Sequence, residues 1–398
     1  MQLDMYLAAA VGILATLFGS FINRRSSKLS RICIPDPVIG GIFIALITLL
    51  VYKIWDCEIS FDGTIKDICM MIFFTTVGFQ SDMSMLKRGG KKLVVMVAIV
   101  TILIICQDLI GVLLSKAMGQ SATLGLAAGS ITMAGGHGTA AGFSEVLGEL
   151  GLQGADAILM AAATFGLVGG SLIGGPLSER TIRKRRLDKK TSEDEEKEFE
   201  EVWPKDATKG HIVVKDLLRA TYEIFIAMAL GLLISNLIDR TGLTVPSYFG
   251  SLIAAVIIRN FTEQVKVSPK LRMNGILVIG DISLILFLGM AMVSLKLWQL
   301  ESIALPLLAI LCTQVLFIAI FAKHIAFALL GKNYDAALLM AGLCGFGLGA
   351  TPNAIANMSA VSAKYRYSAL PFIIVPIVGA MFVDIINIAV ITFFMNLM

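Results

Sequence analysis

Apolar residues run along this chain in stretches of about 20, the length an α-helix needs to cross the roughly 30 Å hydrocarbon layer of a bilayer. Such runs fall near 5–22, 36–54, 68–86, 93–115 and 156–177, then near 217–238, 244–259, 275–295, 303–323 and 369–395. The run at 244–259 is short and needs tilt or cover from its neighbours to serve as a span. The pattern predicts an all-α polytopic membrane protein with five spans on either side of the charged segment 179–215.

The two halves repeat one another. DICMMIFFTTVGF opens at Asp67 and DISLILFLGMAMV at Asp281. Pro37 and Gly41 in PDPVIGGIFIAL recur as Pro246 and Gly250 in VPSYFGSLIAAV, and the Gly-rich run through Thr139 recurs as the one through Thr351. An odd number of spans per copy turns the second copy upside down. Residues 1–178 and 216–398 are therefore expected to form two inverted-topology repeats, the plan of alternating-access transporters. Asp67 and Asp281 would each open a span, where an acid meets the positive end of a helix.

Composition narrows the class further. At 57% apolar and 16% charged residues the chain does not read as a soluble enzyme. A net charge of +4 would suggest acidic partners on a soluble protein, but here Lys and Arg collect in alternate loops, which is a topology signal and argues against nucleic acid. With the N-terminus outside, Arg24, Arg25, Lys28, Arg31, Lys87, Arg88, Lys91, Lys92, the basic stretch 180–190 and the rest of the central loop, Arg259, Lys266, Lys270, Arg272, Lys323, Lys332, Lys364 and Arg366 lie inside. Only Lys53, Lys66, Lys116, Arg240 and Lys296 stay outside, so both termini are expected on the outer face. The first run precedes its basic cluster, the reverse of a cleavable signal peptide, and is expected to remain as a span. Cys69, Cys106, Cys312 and Cys344 lie in apolar runs without CxxC or Cys/His spacing, so neither zinc nor a disulfide framework is indicated. The segment 179–215, basic and then acidic, reads as a solvated linker between the halves, with a docking role as the alternative.

Residues 121–151 and 336–361 are too rich in small residues to be ordinary spans and too apolar to be plain loops. The alternation of sides sends the first in from outside and back, and the second in from inside and back. Each is expected to be a re-entrant hairpin or broken helix, an irregularity tolerated at membrane depth only when it is buried in protein or lines a watery cavity. Gly125, Gly129 and Gly342 are read as allowing close helix packing. At the tips, Thr351 followed by Pro352 reads as an N-cap and first helical position, and a helix can restart at Thr139. Two helix N-termini would then converge on one point, each worth roughly half a positive charge and each an anion site. The candidates there are Gly135, Gly136, His137, Gly138 and Thr139 on one tip, and Thr351 and Pro352 on the other. The unwound backbone, including Gly347 and Gly349, offers carbonyl oxygens to Na⁺.

PDPVIGG at 35–41, GGHGTAAG at 135–142 and GATPNAIANM at 349–358, on this five-plus-five plan, resemble the bacterial sodium/glutamate symporters along essentially the whole chain. A GGxG tip is shared more loosely with sodium/citrate symporters, and the second half carries GFGLG at 345–349 instead. The resemblance implies a homodimer in the bacterial inner membrane, with a mobile core holding both hairpins and moving against a static scaffold, an elevator-type mechanism. It implies glutamate as substrate and Na⁺ as coupling ion, with no further cofactor.

Several side chains compete for roles. Asp384, inside the last run, has Asn387 three residues on and on the same helical face, which makes the pair a candidate cation site or a buried helix contact. Asn353 and Asn357 share a face just past the second tip and read either as substrate contacts or as structural hydrogen bonders. Ser130 and Thr132 could lend hydroxyl oxygens to Na⁺ or bond their own backbone. Thr75, Thr76 and Gln80 could line the cavity or bond a neighbouring helix. His137 reads as a neutral tip residue, with proton coupling as the alternative. Asp108 beside Gln107 carries no assignment.

No Lys or Arg lies at mid-membrane in either half, so helix ends and bound Na⁺ must supply the field that holds an anion. Binding of cation and anion is then mutually dependent, as symport requires. Moving one net charge through 100 mV is worth about 2.3 kcal/mol, so a monoanion driven by voltage needs at least two Na⁺. A sodium-coupled di- or tricarboxylate symporter is the nearest alternative. A cation/proton antiporter would need paired intramembrane acids, which the single Asp384 does not supply. No HExxH or GxSxG signature of an intramembrane enzyme lies in a span.

Overall fold

Each expected span is mostly helical over its described residues in a computed structural model, which describes residues 2–25, 34–81, 90–187, 214–240, 246, 248–264, 270–301 and 303–397. Lys28, Arg31, Lys87, Arg88, Lys266 and the linker from 188 to 213 lie outside the described residues. In the first half α1 is Met5–Arg25, α2 Asp36–Trp55, α3 Thr64–Gln80 and α4 Gly90–Ala117. Three short helices follow, α5 Ala122–Ala127, α6 Ser130–Met133 and α7 Gly136–Glu149, and then α8 Ala155–Arg185. The second half contributes α9 Val214–Asp239, α10 Phe249–Gln264, α11 Lys270–Val293 and α12 Ala304–Phe321. It closes with α13 Tyr334–Phe346, α14 Thr351–Lys364, α15 Ala369–Ile377 and α16 Asp384–Met395. The only strands among the described residues are β1 Gln2–Leu3 and β2 Ser60–Phe61, paired in parallel.

Among the described residues eight helical stretches, the last running from α15 through α16, are long and apolar enough to cross a bilayer on their own, which makes the chain a polytopic membrane protein. The two shorter spans are α3, with 17 residues, and α10, with 16. Helix starts follow ordinary capping chemistry. Ser121 caps α5 by accepting from the Leu124 amide at 3.2 Å, and Asn333 caps α13 by accepting from the Ala336 amide at 2.9 Å. These caps stand at the same spacing that separates Thr139 from Thr351. The last span is irregular: Pro376, inside α15, lacks an N–H to give the preceding turn, and the chain then widens into a π-helical turn at Val378–Val383 before α16.

The helices sort into two bodies, each drawing on both halves of the sequence. One packs α1, α2 and α3 with α9, α10 and α11. The other packs α4 to α8 with α12 to α16 and holds most of the buried apolar side chains. Two pairs, α3 with α11 and α4 with α12, meet and run antiparallel. Along α3 and α11, Phe73 faces Phe287 with ring centroids 6.5 Å apart, while Thr76 lies against Gly280. Along α4 and α12, the Gln314 side chain donates to the Gln107 carbonyl at 2.7 Å, while Leu103 and Ile318 both lie against Gly347.

Contacts between loops fall at two ends. At one, β1 pairs with β2, Lys296 bridges Glu58 at 2.5 Å and Tyr52 stacks on Trp298 at 4.3 Å. The Lys296 ammonium holds the Glu58 carboxyl below its ordinary range. At the other, Asn23 donates to Asp36, Lys92 bridges Asp335 at 3.3 Å and Lys364 bridges Glu179 at 2.5 Å. One expectation fails here: Asp67 lies in the first turn of α3, but Asp281 stands well inside α11, because that helix already starts at Lys270. The apolar run 275–295 concealed the polar first turn.

Candidate functional site

The segments 121–151 and 336–361 are both interrupted helices. In the second, α13 and α14 fold back on each other across the break at 347–350, since Gly345 lies against Ala354 and Gly342 against Met358. In the first, α5 and α6 lead to a break at 134–135, and α7 returns against both. The breaks touch. Gly136 lies so close to the Gly349 carbonyl that a side-chain carbon at Gly136 would overlap that oxygen, and its φ of +59° suits glycine. The helix starts differ from the sequence reading. Helix α7 begins at Gly136, not Thr139, because glycine alone enters the turn at positive φ without strain. Helix α14 is capped by extended Ala350, placing Thr351 and Pro352 in its first turn, and Thr351 instead packs its hydroxyl against Gly379 of the π-helical turn.

This junction is rich in unused donors. Among the described residues the backbone N–H groups of Gly136, His137, Gly138 and Thr351 have no hydrogen-bond partner, as expected of first-turn amides. The Thr139 hydroxyl is buried and also unpaired. His137 is buried, its Nε2 3.0 Å from the Thr164 hydroxyl. That hydroxyl spends its proton on the Met160 carbonyl, so His137 must be the donor and carry its proton on Nε2.

Asn353 and Asn357 spend their side chains on α8. Asn353 donates to the Leu167 carbonyl at 3.0 Å and accepts from Ser171 at 2.5 Å, while Asn357 donates to the Gly170 carbonyl at 2.9 Å. Helix α14 is thereby stitched to α8, whose Gly166, Gly170 and Gly174 let the backbones approach. Thr75, Thr76 and Gln80 bond carbonyls of their own helix, to Met71, Phe73 and Thr76 respectively, and not a neighbour. Gly135 lies beneath Thr139, and Thr132 donates to the Ala127 carbonyl at 2.7 Å.

Asp384 and Asn387, in the first turn of α16, have different surroundings. Asn387 is fully buried and donates to the Ser130 carbonyl at 3.1 Å, whereas Asp384 is half-buried and makes no hydrogen bond among the described residues. The unassigned pair on α4 proves central. Asp108 accepts from the Ser130 amide at 2.7 Å and from its hydroxyl at 2.9 Å, and Gln107 donates to the Gly347 carbonyl at 2.8 Å. One turn of α4 thus holds both broken elements. The signal available in sequence was polarity alone, two adjacent polar residues in the middle of TILIICQDLIGVLL.

Two interrupted helices whose free amides meet inside a bundle of membrane-length helices define a membrane transport protein. Residues 1–367 match the family described as sodium/glutamate symporter, and the chain belongs to that family. It is 38% identical to the sodium/glutamate symporter of Haemophilus influenzae over 385 residues, covering 96% of this chain and 95% of that one. It is 37% identical to that of Escherichia coli over 397 residues, covering 100% and 98%. These relatives are named as symporters, and the chain is a transporter, not an enzyme. A sodium/proton antiporter structure from Methanocaldococcus jannaschii aligns over 98% of this chain and 97% of its own, with a TM-score of 0.44 and 15% identity, too distant to bear on the site.

Proposed function

We propose that the chain carries glutamate into the cell together with Na⁺, and that the meeting of the two helix breaks at Gly136 and Gly349 is the substrate site. The observation that carries this reading is the group of unpartnered N–H groups of Gly136, His137, Gly138 and Thr351 around that contact. A carboxylate placed there gains several hydrogen bonds and the field of two helix starts without any fixed cation. The buried Thr139 hydroxyl adds a further donor, Gly135 and Pro352 shape the two turns, and Asn353 and Asn357 hold α14 in place. Na⁺ takes oxygens nearby, from Ser130, Thr132, Gly347, Gly349, Asn387 and Asp384.

The two halves act as inverted repeats, which fits the antiparallel pairing of α3 with α11 and of α4 with α12. The interrupted segments are re-entrant hairpins. The body containing α4 to α8 and α12 to α16 moves as an elevator against α1 to α3 and α9 to α11. One contact at the seam supports this: Tyr248, stacked on Phe74 of its own body at 3.8 Å, meets Phe143 of the other body edge-on at 6.3 Å, and parting those two rings breaks no hydrogen bond. As the family resemblance implies, the protein works as a homodimer in the bacterial inner membrane. The loop contacts gathered at two ends suit the charge-derived topology with both termini outside.

Glutamate uptake by the purified protein in liposomes tests the reading. Uptake should require an inward Na⁺ gradient and rise when the interior is made negative, because at least two Na⁺ accompany each monoanion. Indifference to membrane potential at a fixed Na⁺ gradient would refute that stoichiometry. α-Ketoglutarate, which lacks the amino group, should compete poorly; competition equal to that of unlabelled glutamate would favour a dicarboxylate carrier instead.

A further inference from the structure

We infer that Asp108, Ser130 and Asn387 form a Na⁺ site between α4, α6 and α16, with Asp108 as its charged ligand. The inference rests on the reading of the chain as a sodium-coupled symporter and assigns the charge of that site to a residue on a different helix from Asp384.

Asp108 is fully buried. Its two oxygens face Ser130, one accepting from the amide and the other from the hydroxyl, and neither is near a Lys, Arg or His among the described ion pairs. Two neutral donors leave lone pairs and the whole charge of a carboxylate uncompensated in a dry interior, where an isolated charge is costly. The Asn387 amide supplies a second, independent sign of missing positive charge. The Ser130 carbonyl accepts from the Ala134 amide at 3.1 Å, the Gly135 amide at 2.9 Å and the Asn387 side-chain nitrogen at 3.1 Å. Turning the Asn387 amide over would set oxygen against that carbonyl, so its nitrogen must face Ser130 and its Oδ1 is left over. That Oδ1 is buried and has no donor.

Asp108 and Asn387 thus grip the same residue, Ser130, from two further elements, bringing a carboxylate and a free amide oxygen to the neighbourhood of its hydroxyl. All are hard oxygen ligands, and a single carboxylate matches a single monovalent cation. The Ser130 carbonyl also holds the Gly135 amide, one residue before the free N–H groups of the first tip. A cation that fixes Ser130 therefore orders the turn that receives the substrate, a direct physical route from Na⁺ binding to glutamate binding.

The test is Na⁺ dependence of glutamate uptake in proteoliposomes, with direct binding of radiolabelled Na⁺ to the purified protein. Asp108→Asn should raise half-saturating Na⁺ by about tenfold or more, in line with the loss of a metal ligand's charge, and should remove one Na⁺ from the transport stoichiometry. Folded Asp108→Asn protein with wild-type Na⁺ dependence would overturn the site while leaving sodium symport intact. Wild-type protein that carries glutamate without Na⁺ would instead overturn the underlying reading. If Asp108→Asn does not fold, Ser130→Ala and Asn387→Ala decide the matter: each should raise half-saturating Na⁺ at least about threefold, and unchanged values in both would overturn the site.

Discussion

Gly136→Ala should lower glutamate uptake about 30-fold or more while leaving protein in the membrane, because two costs fall on one residue at the contact between the tips. The φ of +59° places Gly136 in the left-handed region, where an added Cβ costs about 1–2 kcal/mol. That Cβ would also overlap the Gly349 carbonyl, so the tips must part by several tenths of an ångström. Overpacking of this kind costs about 1–3 kcal/mol more. Together they amount to roughly 2–5 kcal/mol, charged to the state in which both sets of free amides face one point. Uptake kinetics and the thermal midpoint in detergent check the expectation together. Wild-type uptake would show that the tips need not touch for transport, and a collapsed midpoint would place Gly136 in folding rather than in the site. Gly148→Ala, on the same helix, is the control, since a Cβ there would meet nothing within 4 Å and its φ is unremarkable.

The span pattern was legible in the sequence because transfer into hydrocarbon is a sum over many residues, and no single misread position changes it. The repeat reading rests on matching strings, and the caps at Ser121 and Asn333, at the same 212-residue spacing as Thr139 and Thr351, agree with it. Helix starts were harder. At Gly136 and Ala350 the deciding factor is a backbone angle imposed by the opposite tip, and residue identity only permits it. Side-chain partners were least legible. Asn387 sits three residues from Asp384 on one face, yet it pairs with Ser130, because the π-helical turn and the packing of α16 on α6 are tertiary facts. Asp108 was visible as a costly residue in an apolar run, but its partner is 22 positions away, across the break that makes α6 a separate helix.

Asn353→Ala separates two roles that the sequence alone leaves equal. A substrate contact would raise the KM for glutamate and spare stability. The geometry predicts the opposite. The side chain gives one hydrogen bond to the Leu167 carbonyl and takes one from Ser171, both at the seam of α14 with α8. Losing two buried hydrogen bonds costs about 1 kcal/mol each, and the emptied space lies against the backbone of Gly170 and Gly349, which cannot collapse to fill it. A total of roughly 2–4 kcal/mol follows, since residual cavities add to the loss. The expected result is a melting midpoint lower by about 5 °C or more and a reduced maximal uptake, with KM within about twofold of wild type because the first-turn amides stay in place. Asn357→Ala should behave alike, since its amide is spent on the Gly170 carbonyl in the same seam. A tenfold rise in KM with an unchanged midpoint, about 1.4 kcal/mol of lost substrate binding, would mean that Asn353 turns from α8 to the substrate during transport, and the stitch seen here would then belong to one stage of the cycle.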